Sequence, residues 1–111
     1  MQWIPLTDEK QLSDIISQSA ERPQVIFKHS TRCSISAVAL QRLQKESVPA
    51  GFDFYMLDLL AYRAISNKVA EQFDVYHESP QVLVIRNGEC VFDESHLGIS
   101  MHDIIDSAKA A

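Results

Sequence analysis

The chain has 111 residues, of which 46% are apolar and 23% charged, and 10 Lys and Arg against 15 Asp and Glu give it a formal charge of -5. That size and composition suit one domain spanning 1–111 around one core and exclude a disordered chain, while the acidic balance argues against a surface that holds nucleic acid by neutralising phosphates. No apolar run approaches transmembrane length, Met1-Gln2-Trp3-Ile4-Pro5 lacks the basic and apolar regions of a secretion signal, and two cysteines are too few for a secreted disulfide scaffold, so no membrane partner and a cytoplasmic location are expected.

Along the chain, helix and strand patterns alternate. Thr7 is suited to cap a first helix from Asp8 to about Ser19, with Leu12, Ile15 and Ile16 on one face, and Arg22-Pro23 ends it. Gln24-Val25-Ile26-Phe27-Lys28-His29 reads as a buried strand, and Ser36 to Leu43 as the helix after it, closed near Val48-Pro49-Ala50-Gly51. Phe52 to Leu59 has the aromatic and aliphatic residues of a second strand, and Tyr62 to Phe73 reads as a helix burying Ile65, Val69 and Phe73. Pro80 to Ile85 and Glu89 to Phe92 flank Asn87-Gly88, the pair suited to a type I′ hairpin turn. A last helix starts at Ser100, with Asp103 completing an approximate capping box. The order suits an α/β fold in which a mixed four-stranded sheet is covered by helices on both faces.

The chemistry gathers at Cys33, between the first core strand and its helix. Unpaired N–H groups and the helix dipole at such a junction favour a thiolate over a thiol. The disulfide-exchange pattern Cys-x-x-Cys stands here as Cys33-Ser34-Ile35-Ser36, so the nucleophile has no resolving sulfur one turn on. A mixed disulfide on Cys33 must then be released by an outside thiol, which predicts monothiol exchange with a low-molecular-weight thiol. Ser36 is a candidate donor to the thiolate, or an ordinary residue of a helix start.

Lys28, His29 and Arg32 are candidate cations for the thiolate and for an anionic thiol, with Arg32 the best placed; Lys28 and His29 also fit a solvated strand end. His77 and Glu78 precede Ser79-Pro80 and either border a substrate groove or are plain loop residues. Cys90 reads as a structural cysteine on the same strand face as Phe92, and Trp3 as a packing residue under the first helix. The four histidines and separated cysteines have no metal-ligand spacing, so no metal and no bound cofactor are expected.

A reactive cysteine after the first core strand, with a proline opening a later hairpin, resembles the thioredoxin fold, in which that proline is cis and faces the thiol; Pro80, after Ser79, is the candidate. The strings Phe27-Lys28-His29-Ser30-Thr31-Arg32-Cys33-Ser34-Ile35-Ser36 and Val75-Tyr76-His77-Glu78-Ser79-Pro80-Gln81-Val82 further resemble the YtxJ family, the monothiol bacilliredoxins. Arg63 to Asn67 and Ser95-His96 are similar to segments of the same family. The resemblance implies that Cys33, with Ser36, removes bacillithiol from S-thiolated cytosolic proteins, with bacillithiol as co-substrate. Lys28, His29, Ser30, Thr31, Arg32, Ser34, Ser79 and Pro80 are then the candidate substrate-binding residues. Ser34 departs from the family, where proline is expected. Two other readings remain: an iron–sulfur carrier of the monothiol glutaredoxin kind, although its Cys-Gly-Phe-Ser motif is absent, and a non-catalytic module that pairs with a peptide beside Ser79-Pro80.

Overall fold

A computed structural model describes residues 1–110. Five strands, β1 (Ile4–Pro5), β2 (Gln24–His29), β3 (Asp53–Asp58), β4 (Gln81–Arg86) and β5 (Glu89–Ser95), form one sheet in the order β1-β3-β2-β4-β5. The first three are mutually parallel where they pair, β4 runs antiparallel to β2, and β5 antiparallel to β4. The helices are α1 (Gln11–Gln18), α2 (Ser34–Gln44), α3 (Arg63–Phe73) and α4 (Met101–Ala110). Four strands are those expected from sequence. The fifth, β1, is two residues long and too short to leave a period-two pattern.

The central strands are buried on both sides, so their side chains divide by parity between two cores. Ile26, Tyr55, Leu57, Leu83 and Ile85 pack under α1 and α3, against Leu12, Ile15, Ile65, Val69 and Phe73. Val25, Phe27, Phe54, Val82 and Val84 pack on the other side under α2 and α4, against Ala39, Leu43, Met101, Ile104 and Ala108. Lys28 shares the parity of Ile26 and therefore enters the first core.

Parity also corrects the expectations for Trp3 and Cys90. Trp3 lies in the second core, its ring stacked on Phe27 at 5.6 Å and edge-on to Phe54 at 5.9 Å, on the side of the sheet opposite α1. The alternation of β1 requires this, because Leu6, three residues on, faces the first core. In β5 a bulge intervenes: Val84 pairs with Phe92 but Ile85 with Cys90, leaving Val91 unopposed. One extra residue reverses the alternation. Cys90 consequently packs toward the first core and Phe92 toward the second, not on one face.

The α1 entry differs as well. The helix begins at Gln11, not Asp8, and Thr7 does not cap it with its side chain. Gln11 itself reaches back, its Oε1 accepting from the Thr7 and Asp8 N–H groups at 2.8 and 3.0 Å, while Asp8 Oδ1 accepts from Lys10 N–H at 2.9 Å. At α4 the expected cap is present, with Asp103 N–H donating to Ser100 Oγ at 3.2 Å. Asn87 and Gly88 both have positive φ, 53° and 80°, as a type I′ turn requires.

Candidate active site at the start of the second helix

Cys33 is the residue from which α2 springs. Its backbone is extended, φ -109° and ψ 120°, and its carbonyl accepts the first helical bond, from Ala37 N–H at 3.1 Å. The side chain is half-buried and in no disulfide. Behind it, Cys33 N–H donates to the Ser30 carbonyl at 3.2 Å, which closes a tight turn through Thr31 and Arg32, both exposed. Arg32 N–H in turn donates to Ser30 Oγ at 3.4 Å.

Ser36 is fully buried and its hydroxyl is engaged. It accepts from Ser30 N–H at 3.0 Å and pairs with His29 Nδ1 at 2.7 Å. No hydrogen bond joins it to the Cys33 sulfur among the described residues. Ser36 thus ties the first turn of α2 to the end of β2 and fixes the loop that holds the thiol. Ser34 is the exposed first residue of α2.

The three expected cations separate. Arg32 is exposed and in no ion pair among the described residues. The pKa of His29 is lowered by burial, against the opposing pull of Asp58, so at neutral pH it is an uncharged hydrogen-bonding partner of Ser36. Lys28, far from being solvated, has no exposed surface at all. Its Nζ lies 3.3 Å from the Ser66 carbonyl oxygen on α3 and 3.2 Å from His77 Nδ1, and burial pushes its pKa down from 10.5 to about 8. A lysine so enclosed has no face to offer a substrate, which departs from its expected role in substrate binding.

The Ser79–Pro80 bond is cis, and Pro80 is buried. Lys28 and Gln81 are directly opposed in the β2–β4 ladder, so the next step of the antiparallel register brings Pro80 abreast of His29, at the sheet end from which the Cys33 loop leaves. The Pro80 carbonyl accepts from His96 N–H at 3.0 Å, and Ser79 Oγ is buried without a partner. Gln81, missed in the sequence, is buried and donates from Nε2 to the Tyr76 carbonyl at 2.9 Å. Its signal was a polar residue opening an otherwise apolar strand.

Cys90 is remote in character from Cys33. Its thiol donates to the Phe92 carbonyl at 3.2 Å, and burial is the main cause that pushes its pKa up to about 11. Both sulfurs are half-buried, and their surroundings divide them: the Cys33 thiol stands at a helix start, whereas the Cys90 thiol is engaged by a backbone carbonyl and held neutral.

Comparison with known proteins agrees with this arrangement. A family model described as monothiol bacilliredoxin BrxC matches residues 4–104. A solved structure described as an oxidoreductase with a thioredoxin fold is 30% identical, with 94% of this chain and 91% of that one covered and a TM-score of 0.80. Thioredoxin from Malassezia sympodialis (13% identity, 98% and 90% covered, TM-score 0.73) and mitochondrial thioredoxin 3 from Saccharomyces cerevisiae (16%, 98% and 95%, TM-score 0.72) share the fold.

Proposed function

The chain belongs to the monothiol bacilliredoxin family and is a thiol oxidoreductase of thioredoxin fold, and from that premise we propose that it strips bacillithiol from S-bacillithiolated proteins of the cytoplasm through Cys33. The observation that carries the reading is the pairing of a half-exposed Cys33 at the start of α2 with an oxygen, Ser36, in the position of a resolving sulfur. The Cys33 thiolate attacks the bacillithiol sulfur of the mixed disulfide. The Cys33–bacillithiol S–S bond forms as the bond to the target cysteine breaks, and the target leaves as a thiolate that takes a proton from solvent. A second bacillithiol thiolate then attacks the bacillithiol sulfur held on Cys33, which releases bacillithiol disulfide and restores the Cys33 thiolate.

Ser36 and His29 serve this sequence by fixing the loop between β2 and α2, so the sulfur keeps its position as its partner changes. Arg32, charged and exposed next to Cys33, suits the anionic groups of the small thiol. Ser34, Thr31 and the half-buried Ser79, held by the buried Pro80 behind it, complete the proposed contact surface for the target protein. Incubation of a bacillithiolated model protein with the wild type, followed by intact mass, should return the free target thiol and leave one adduct on Cys33. Cys33→Ser should do neither, and Cys90→Ser should do both. A parallel target carrying glutathione tests the choice of thiol: equal rates on the two would remove bacillithiol from the assignment while leaving the exchange chemistry.

A further inference from the structure

Among the described residues, Lys28 is the one ionisable side chain in the fully buried set. A cation withdrawn from water is costly unless good partners surround it, and those of Lys28 are neutral: the Ser66 carbonyl and His77 Nδ1. Directly across the ladder stands Gln81, whose side chain projects from the same face because opposed residues of an antiparallel pair do so. The two make parallel contacts with one segment. Gln81 Nε2 donates to the carbonyl of Tyr76, and Lys28 Nζ donates to the ring of His77, so two adjacent buried donors grip two successive residues of the loop that leads to Pro80. On its far side the same loop meets His96, through Pro80 O at 3.0 Å and through Glu78, whose carboxylate is 3.5 Å from His96 Nε2.

We propose that Lys28 is a positioning residue for protein substrates: by donating to neutral His77 it holds the Tyr76–Pro80 loop as the platform on which a target segment lies while its mixed disulfide meets Cys33. The proposal rests on the exchange reaction assigned above to Cys33. Lys28 does not act on the sulfur directly. Its side chain enters the core under α1 and α3, whereas Cys33 opens α2 on the other side of the sheet. A small disulfide has no chain to lay on the platform, so only protein substrates depend on it.

The contact also carries a condition. Nδ1 accepts from Lys28 only in the uncharged Nε2–H form of His77, and a protonated ring would turn an N–H toward the ammonium. Burial is the largest influence holding His77 below its usual pKa, followed by Lys28 from β2 and Arg63 from α3, with Glu78 in its own loop opposing them. The platform is therefore firm at neutral pH and loosens in acid.

The test measures full kinetics of the intact chain on a bacillithiolated protein and on a small bacillithiol mixed disulfide, between pH 5 and 7. Lys28→Met should raise KM for the protein about tenfold, the scale of one lost positioning hydrogen bond, while the small disulfide is turned over at an unchanged rate. His77→Asn keeps an acceptor near the Nδ1 position and cannot titrate, so it should abolish the rise in KM that the wild type shows on acidification. His77→Ala, at a half-buried loop position, should reproduce the Lys28→Met split even if that variant folds poorly. Equal loss on both substrates, or protein KM unchanged in Lys28→Met and His77→Ala, overturns the proposal while Cys33-dependent exchange stands. Exchange that survives in Cys33→Ser would overturn the underlying reaction and this inference together.

Discussion

Arg32 and Cys90 show how burial sorts residues that look alike in sequence. Of three neighbouring cations only Arg32 keeps both charge and exposure, so under the proposed function the electrostatic attraction of an anionic thiol falls to it. Arg32→Ala is expected to raise KM for bacillithiol about two- to fivefold at low salt and to flatten its dependence on ionic strength, as for an exposed charge contact; a full salt series on both proteins checks it. Cys90, with its pKa pushed up to about 11, should label slowly with iodoacetamide in the Cys33→Ser variant up to pH 9 and rapidly only in denaturant. Rapid labelling of the folded variant at pH 8 would contradict a structural role. At this scale Cys33 was legible because a strand pattern met a helix pattern there. The enclosure of Lys28 was not, since it follows from α3 and the His77 loop covering a strand end, and neither packing leaves a mark on residues 24–29.

Within elements, the start of α2 is already shaped for the residue it lacks. The position after Cys33 is the first of the helix, where proline is tolerated because the N–H has no helical partner, and the residue before a proline must be extended, as Cys33 is with φ -109° and ψ 120°. Ser34→Pro should therefore stabilise the protein by about 0.5–1 kcal/mol through the unfolded chain, and raise Tm by a few degrees. A lower Tm would show that the serine makes an essential contact. Most elements were legible for related reasons, since α3 has a clear helical period, β2 and β4 are short apolar runs, and a clear stop or the Asn87-Gly88 turn bounds them. The bulge at Val91 was not legible, as an inserted residue is defined by the partner strand, and it alone sends Cys90 and Phe92 to opposite cores.

Across the whole molecule, the buried Lys28 makes stability depend on pH. Its folded pKa of about 8 lies below the 10.5 of an exposed lysine, so between those values the unfolded chain binds more protons and stability contributed by this group rises with pH. Below about pH 8 the lysine is charged in both states, and its enclosure is a net cost to stability there. Lys28→Met should accordingly match or exceed the wild type in urea midpoint at pH 7, with the difference shifting in the wild type's favour toward pH 10. The opposite trend would mean that the lysine is hydrated in the folded state. The sheet as a whole has a further property. Its two margins are β1 and β5, and each is a poor template for another chain. The β1 margin is two residues long and ends in Pro5, which has no N–H to offer, while β5 carries Glu89, Asp93 and Glu94 and is bent by its bulge. Neither margin can add strands indiscriminately, and copies of the chain at high concentration have no flat margin along which to polymerise.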